Sequence, residues 1–446
     1  MKIEVIKNHK PIHRLFECYK NFPNVAFLDS SLKSDEGKFS IIALYPYLSI
    51  SHQDGKTKIN NELSTISFDE YLKNYLQEKK EKNNTSLPII DGAIGYFSYD
   101  YALKKYGIIS KHKRRLEIPD AFLCFYDVLI IENYEYDSLY IVAHGKIKAE
   151  DEAIDEVKYY LDYAIEESEN NVSGKKIKPD FEKKEYIDAI EKMKDHILEG
   201  DIYVVNMTEQ FRLYSSKKPF EVFKVLREVS PSPFGAYIKY DDFTIISSSP
   251  ERFLKVKGNK IITCPIKGTR KRGQTKEEDE ALKEELLSSE KEKSELLMIV
   301  DLERNDLNKI CKPGSVKVEN LFSIKTYAQV FHLVAKIEGK LKENIDAMDI
   351  LSAMFPGGSI TGTPKLSAMR IIDNIEKSRR NIYTGSIGYI GLDGSIDLNI
   401  VIRTAIYQNG VYHVGAGGGI TYESDGTFEM EEVLQKAKAI FYSILD

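Results

Sequence analysis

β-Type segments fill the first 145 residues and return after residue 200, and no other feature limits the fold of this chain as strongly. Five early segments combine alternating or continuous apolar residues with branched and aromatic side chains, which is typical of strands. They span 25–29, 39–50, 94–98, 122–131 and 139–143. Later strands are predicted at 203–211, 234–238, 243–248, 384–392, 397–407 and 410–415, with a hairpin turning at Gly258-Asn259. The sequence therefore predicts extensive β-structure.

Helical periodicity separates these strands, because apolar residues recur there every three or four positions. Helices are predicted at 150–167, 181–199, 276–303, 364–376 and 427–444. The segment 168–180 is polar and contains Gly174 and Pro179, which predicts a linker between regions 1–167 and 181–446. A surface loop within one compact body explains the same composition equally well.

Composition excludes several classes of protein. The chain has 446 residues, which corresponds to about two to four domains. The net charge of −6 argues against nucleic-acid or membrane-surface binding, and no apolar run approaches the roughly 18 residues of a membrane helix. The N-terminus lacks the pattern of a signal peptide, and the four cysteines form no CxxC motif. We therefore predict a cytoplasmic enzyme.

Two glutamate pairs indicate a metal site. Glu292 and Glu295 form the first pair, and Glu429 and Glu432 form the second, each three residues apart in a predicted helix. This spacing places both carboxylates on one helix face, and carboxylate oxygens are ligands that Mg²⁺ prefers. Glutamates on helices are more often solvated, but both pairs here adjoin apolar runs. The sequence therefore predicts Mg²⁺ bound between two helices.

Two glycine-rich loops, predicted at 356–365 and 415–420, indicate an anionic ligand. In the first, Thr363-Pro364 predicts the start of a helix, where free backbone N–H groups can bind anions. In the second, Gly417, Gly418 and Gly419 would let backbone amides approach a ligand carboxylate. Neither segment matches a phosphate-binding or dinucleotide-binding motif. Tight turns without a ligand remain the alternative.

Three basic residues are candidates for chemistry, each with a plainer alternative. Arg403 lies in an apolar β-type run, where it needs either a structural ion pair or a substrate carboxylate. His332 is embedded among apolar residues and could be an ordinary core histidine. Lys267 lies in a basic run and could be solvated, whereas a partly desolvated lysine becomes a nucleophile.

The ordered motifs resemble those of the chorismate-utilising enzymes. They include SSSPERF (247–253), PIKGTR (265–270), ELLMIVDLERNDL (295–307), FPGGSITGTPK (355–365), IVIRTA (400–405) and GAGGGI (415–420). The match is dense over 182–446 and weaker before it. The resemblance implies an α+β fold in which two intertwined halves contribute antiparallel sheets to a central β-sandwich flanked by helices. It also implies that 181–446 is the catalytic region.

The resemblance implies a role for each candidate residue. Chorismate would lie between the glycine segments, with Mg²⁺ between its ring carboxylate and the four glutamates. Glu251 and His332 would lie near the hydroxyl that leaves, with Glu251 as the proton donor. The expected substrate contacts are Ser359, Tyr383, Arg403, Gly417, Gly418, Gly419 and Lys436.

Lys267 separates the branches of this family. Anthranilate synthases typically have alanine there, whereas aminodeoxychorismate synthases have a lysine that is thought to attack carbon 2 of chorismate. The resemblance therefore implies amination at carbon 4, with ammonia from a separate glutaminase subunit in a heterodimer, because no glutaminase motif is present here. The alternatives are an anthranilate synthase large subunit and a non-catalytic regulatory protein of the same fold. Val204 occupies a position that is usually polar, which disfavours the isochorismate-forming branch.

The N-terminal region 1–167 of such proteins can hold a tryptophan pocket. The segment FLDSS, at 27–31, matches that region and supplies Asp29, Ser30 and Ser31. In anthranilate synthases the pocket serves feedback inhibition, and in aminodeoxychorismate synthases bound tryptophan can be structural.

Overall fold

The computed structural model describes residues 1–163, 176–327 and 330–446. The helices among them are α1 Ile12–Tyr19, α2 Phe68–Glu78, α3 Tyr99–Lys105, α4 Glu150–Tyr163, α5 Lys183–Leu198, α6 Pro219–Val229, α7 Lys276–Ser288, α8 Glu290–Ile310, α9 Ala347–Met354, α10 Lys365–Ile375 and α11 Gly426–Leu445. The strands of the N-terminal region are β1 Lys2–Lys7, β2 Val25–Asp29, β3 Phe39–Gln53, β4 Lys56–Ile59, β5 Glu62–Ser64, β6 Gly92–Phe97, β7 Ala121–Asn133 and β8 Ser138–Ala143. Those that follow are β9 Lys176–Pro179, β10 Val204–Tyr214, β11 Phe234–Lys239, β12 Thr244–Ser249, β13 Arg252–Lys257, β14 Lys260–Thr263, β15 Ile266–Lys271, β16 Lys317–Thr326, β17 Val330–Lys340, β18 Gly362–Thr363, β19 Ser386–Gly391, β20 Ile396–Asn399, β21 Thr404–Gln408 and β22 Val411–Ile420.

One antiparallel sheet divides into two arms at the N-terminal ribbon of β3 and β7. β7 pairs with β3 along one edge and with β6 and β8 along the other. The first arm continues from β3 through β2, β11, β12, β21, β22 and β10. The second arm continues from β6 through β19, β20, β13, β14 and β17, with β15 and β16 beside β17. N-terminal strands therefore begin both arms, which confirms the intertwined halves.

Three hydrophobic clusters show that the arms form a sandwich. The middle cluster joins strand and loop residues of both arms without any helical residue, for example Ile406 of the first arm and Ile387 of the second. A second cluster packs α5 and other helices on the first arm through residues such as Ile190. A third packs α8 and α9 on the second arm through residues such as Leu296. The predicted β-sandwich flanked by helices is confirmed.

The chain passes between the arms twice in neighbouring places. It leaves the first arm after Ser249 of β12 and enters the second at Arg252 of β13, so that Glu251 lies in the crossing segment. It returns between β20 and β21, where Arg403 lies. The two crossings are joined by backbone hydrogen bonds, from Ile400 N to the Glu251 carbonyl at 2.9 Å and from Ser248 N to the Arg403 carbonyl at 3.0 Å. These crossings position the candidate site.

Several predicted boundaries were wrong for identifiable reasons. The helix predicted at 276–303 is two helices, because Ser289 adopts an extended conformation and its hydroxyl caps α8 by accepting from Glu292 N. The strand predicted at 397–407 is interrupted at Arg403, which has a left-handed φ of 50°. Thr363 does not cap α10, because it pairs with Val204 in a short strand.

The region between the two halves is only partly described. Of the predicted linker 168–180, residues 168–175 lie outside the described residues, as do residues 164–167 of the predicted helix before it. Lys176–Pro179 forms β9, which pairs with the end of β10. No helix in the described part of the chain has the length and apolar character required to span a bilayer.

Candidate active site

Lys267 lies where the second arm meets the glycine-rich strand of the first. Its Nζ is 3.5 Å from Oε2 of Glu295 on α8. It is also 2.9 Å from the point where a Cβ on Gly419 would stand. A side chain at position 419 would therefore collide with the lysine. Strand β15 of one arm and strand β22 of the other thus converge on one amine.

Glu251 is a buried carboxyl opposite the glycine segment 356–365. The hydroxyl of Ser359 donates to its Oε1 at 2.8 Å. Burial raises the pKa of Glu251 to about 7, although Ser359 and Lys267 act in the opposite direction. A carboxyl with this pKa can hold or release a proton near neutral pH, which is what a general acid requires. Glu251, with its hydrogen bond from Ser359, is thus a candidate proton donor close enough to Lys267 to be affected by its charge.

Arg403 is a cation without an anionic partner among the described residues. It lies at the chain crossing with a left-handed φ of 50°. Burial alone lowers the pKa of its guanidinium. Burial and, to a smaller extent, the positive charge of Arg403 lower the pKa of His332 to about 3. A desolvated guanidinium without a partner is suited to binding a carboxylate from outside the protein.

The segment 415–420 was predicted to be a loop but belongs to β22. β21 pairs with β22 only as far as Val414, whereas β10 follows β22 to Ile420. Among the described residues, no strand therefore pairs with the other backbone edge of the glycine run. On it, Lys436 donates to the Gly417 carbonyl at 3.0 Å. The ring of Tyr383 lies against Gly415, with Cγ 2.3 Å from the position of a Cβ there. The absence of side chains thus leaves a strand edge open to a ligand.

The two glutamate pairs face a common space but differ in electrostatics. Burial and the neighbouring Glu295 raise the pKa of Glu292, and Glu432 on the other helix also contributes. Burial also raises the pKa of Glu429, which accepts from the Ser424 hydroxyl at 2.8 Å. Burial opposes ionisation of Glu432 as well, but Lys436 at 2.6 Å outweighs it and lowers that pKa. Carboxylates of α8 and α11 therefore influence each other directly.

This donor set fits a divalent cation that prefers oxygen. From the Cβ position of Gly418, Oε2 of Glu429 is 3.2 Å away and Oε1 of Glu432 is 3.8 Å away, so Gly418 faces the carboxylates. A cation would relieve the repulsion that raises the pKa of Glu292. The four glutamates do not form a tight cluster. Within the described ranges, the acidic and histidine side chains that do cluster, with all ligand atoms within 4.8 Å of one another, are His196, Glu199 and Asp201. They lie at the surface near the end of α5 and include none of the four glutamates.

A buried polar network behind the site was missed in the sequence. Lys365 donates to Oδ2 of Asp306 at 2.6 Å and to the Met354 and Pro356 carbonyls at 3.0 and 2.8 Å. It therefore fixes the start of the segment that carries Ser359. Lys365 and Asp306 both lie within motifs named above, and Asp306 lies on the same face of α8 as Glu292 and Glu295. This helical spacing could have indicated that Asp306 belongs to the site.

Glu303 is a second buried carboxyl near Glu251. The Thr263 hydroxyl lies 2.7 Å from Oε2 of Glu303 and 2.8 Å from the Phe253 carbonyl. Burial raises the pKa of Glu303 to about 8, although the Thr263 hydroxyl acts in the opposite direction. The site thus contains a second carboxyl that can hold a proton near neutral pH, and no sequence pattern indicated it.

Asp29 and Ser30 line a separate N-terminal cavity of about 90 Å³. Asp29 accepts from Arg227 Nε at 2.8 Å, and the Ser30 hydroxyl donates to the Pro233 carbonyl at 2.9 Å. Ser31 lies beside the cavity, with its hydroxyl 3.3 Å from the Ser232 carbonyl. Glu36 also lines the cavity and lies 3.6 Å from Arg252, the neighbour of Glu251. The structure thus groups Asp29 and Ser30 around a cavity, apart from Lys267.

Comparison with known proteins gives a consistent result. Residues 26–442 match the model of the chorismate binding enzyme family. Aminodeoxychorismate synthase component 1 of Bacillus subtilis (strain 168) is 36% identical over 423 residues, which cover 91% of this chain and 88% of the relative. Anthranilate synthase component 1 of Aquifex aeolicus (strain VF5) is 39% identical over 365 residues, covering 79% and 74%. The crystal structure of anthranilate synthase component I from Streptococcus pneumoniae TIGR4 matches with a TM-score of 0.81 at 29% identity, covering 92% and 93%.

Proposed function

Because this chain belongs to the chorismate binding enzyme family, we propose that it converts chorismate and ammonia into 4-amino-4-deoxychorismate, a precursor of p-aminobenzoate and folate. The observation that carries this proposal is the position of Lys267, whose amine lies between Glu295 at 3.5 Å and the glycine strand. A lysine amine in this place can act as a nucleophile toward the bound ring. Relatives with either activity are comparably similar, so similarity alone does not select the reaction.

The proposed reaction has two displacements. The neutral amine of Lys267 attacks carbon 2 of chorismate, both conjugated ring double bonds shift by one position, and the hydroxyl at carbon 4 takes the proton of Glu251 and leaves as water. Ammonia then adds at carbon 4, both double bonds shift back, and Lys267 leaves carbon 2 as the neutral amine. The proton that the added nitrogen loses returns Glu251 to its acid form. Arg403, Tyr383, Lys436 and the amides around Gly417 and Gly419 would hold the substrate carboxylates. A covalent intermediate divides one difficult substitution into two easier steps.

Glu292, Glu295, Glu429 and Glu432 would hold Mg²⁺. When bound, Mg²⁺ would supply positive charge to the substrate ring carboxylate and offset the charge of the glutamates around Lys267. Helix α8 would contribute the first pair of carboxylates and helix α11 the second.

The proposed enzyme acts in the cytoplasm with a second subunit. Ammonia would come from a glutamine amidotransferase bound to this chain as a heterodimer, because the sequence contains no glutaminase motif. The N-terminal cavity with Asp29 and Ser30 is the proposed place for tryptophan, with a structural or regulatory role. Because the chain contains no tryptophan of its own, bound tryptophan would give the sole indole fluorescence.

An anthranilate synthase activity is the second candidate. It is favoured by the 39% identity to the Aquifex aeolicus enzyme. Direct addition of ammonia at carbon 2, with loss of the carbon 4 hydroxyl as water and then of pyruvate, would produce anthranilate. Lys267 argues against it, because that reaction needs no lysine nucleophile.

The deciding experiment incubates the purified chain with chorismate, Mg²⁺ and ammonium chloride and analyses the products by mass. We expect a product that retains the enolpyruvyl group and yields p-aminobenzoate only after a separate lyase is added. Chelation of Mg²⁺ and Lys267→Ala should each abolish it, whereas Lys271→Ala, at an exposed neighbouring lysine, should not. Fluorescent anthranilate with release of pyruvate would instead support the second candidate. Unchanged chorismate would indicate a non-catalytic protein.

A further inference from the structure

A one-residue bulge presents Lys267. In the pairing of β15 with β17, Lys267 lies opposite Leu333 and Thr269 lies opposite His332, so Gly268 has no partner. Gly268 has a left-handed φ of 71°, and a Cβ there would stand 2.8 Å from Leu286 and 3.0 Å from Glu292. A glycine in this conformation is typical of a bulge that redirects the neighbouring side chains.

The bulge sends Lys267 and Thr269 to opposite faces of the sheet. Residues paired across an antiparallel ladder share a face, and successive residues of a strand alternate. Lys267 therefore shares a face with Leu333, which packs in the cluster that contains α8. Thr269 shares the other face with His332. Without the bulge, residues 267 and 269 would lie on one face and the lysine would point elsewhere.

His332 holds both residues of the bulge from that other face. Its Nδ1 is 2.8 Å from the Thr269 hydroxyl, and its ring also hydrogen-bonds to the Gly268 backbone. The ring packs edge-on against Tyr327, with centroids 5.5 Å apart. Burial and Arg403 lower the pKa of His332 to about 3, so the ring is neutral at any pH where the enzyme would work. A neutral imidazole ring that makes two hydrogen bonds is suited to holding Gly268 and Thr269 in place rather than to exchanging protons.

We propose that Thr269 and His332 are positioning residues that lock the Gly268 bulge and thereby aim Lys267 at the substrate. This inference rests on the proposed function, because it assumes that Lys267 reacts. It differs from the role expected for His332 near the leaving hydroxyl. The lock acts through the backbone, and neither side chain needs to touch the reacting atoms.

The test compares Thr269→Val, which removes the hydroxyl but keeps the shape, with Thr269→Ser, which keeps the hydroxyl. We expect Thr269→Val to lower kcat about 10- to 100-fold, because small misplacements of a reacting group have large effects. The KM for chorismate should not change, and Thr269→Ser should retain most of the wild-type kcat. The melting temperature of Thr269→Val should fall slightly, because a buried ring nitrogen loses its hydrogen bond. A kcat of Thr269→Val within twofold of wild type would overturn the proposal. If Thr269→Val does not fold, Thr269→Ala decides by the same criteria.

A double variant and a pH profile separate the lock from proton transfer. His332→Leu combined with Thr269→Val should lose no more activity than either single variant, because each breaks the same lock. The kcat of both single variants should fall equally at every pH. Losses that multiply, or a pH limb that disappears with His332, would overturn the proposal. If the wild-type chain aminates chorismate but these outcomes fail, this inference alone is wrong; if the wild type makes no aminated product, the proposed function itself is wrong.

Discussion

The candidate active site and the N-terminal cavity each contain a buried charged side chain, but the surroundings of the two charges differ. Arg403 has no anionic partner among the described residues, and burial lowers its pKa. Asp29 is paired with Arg227 at 2.8 Å and accepts from the Ser40 hydroxyl at 3.3 Å. Because an isolated buried charge is costly, we expect an anionic ligand to bind at Arg403. The paired Asp29 is already satisfied, so any ligand in its cavity must find other polar groups.

Glu251→Gln should produce the largest effect in the candidate active site. We expect kcat to fall about 10²- to 10⁴-fold, because a positioned proton donor is lost while the shape is kept. The wild-type kcat should fall as pH rises through about 7, since Glu251 must be protonated to donate. The variant should lack this limb. The measurement is kcat from pH 5 to 9, with Glu277→Gln at an exposed position of α7 as the control. A wild-type profile that stays flat through pH 7 would contradict this role.

Arg403→Leu should have the next largest effect and tests the unpaired charge. We expect the KM for chorismate to rise about 10- to 100-fold, because a charge-assisted hydrogen bond is lost. The melting temperature should stay level or rise, because a buried cation without a partner is removed. Steady-state kinetics and calorimetry measure the two effects. Lower stability with an unchanged KM would mean that Arg403 is structural.

Arg227→Leu should have the smallest effect and the opposite character. Removing the partner of buried Asp29 should lower the free energy of unfolding by about 2 kcal/mol, less than for a fully buried pair because Arg227 is partly exposed. The KM and kcat should not change. Burial already raises the pKa of Asp29, so the loss should shrink as pH falls and the carboxyl becomes protonated. Urea unfolding of wild type and variant at pH 5 and pH 8 measures this loss of stability. A changed KM would mean that the Asp29–Arg227 pair also affects substrate binding, so the two regions would not differ as described.

The sequence predicted elements best where local chemistry decides them. The hairpin at Gly258-Asn259 was confirmed, because β13 ends at Lys257 and β14 begins at Lys260. The run at 415–420 was mistaken for a loop, because glycines have low strand propensity and only the pairing with β10 makes them a strand. The division of the sheet into two arms depends on pairings between distant strands, which no local pattern encodes.

Single residues of the candidate site were also predictable only where a local motif identifies them. Motifs identified Lys267 and Glu251, but the contact between Ser359 and Glu251 required the folded chain. The role of Thr269 could not be predicted, since a bulge is defined by its register against β17. Glu303 lies in a helix with many charged residues, and only the folded chain shows that it is buried with a raised pKa.

The two chain crossings have a consequence for how the protein folds. Glu251 and Arg403 come together only when both arms exist, and the second arm begins with Phe97 of β6 paired to Ser386 of β19. Contacts between such distant parts of a chain form slowly, because a long loop must close before the contact stabilises it. We therefore expect the candidate active site to be among the last features to assemble. Regained activity would report that the whole molecule has folded, whereas regained strand content would not.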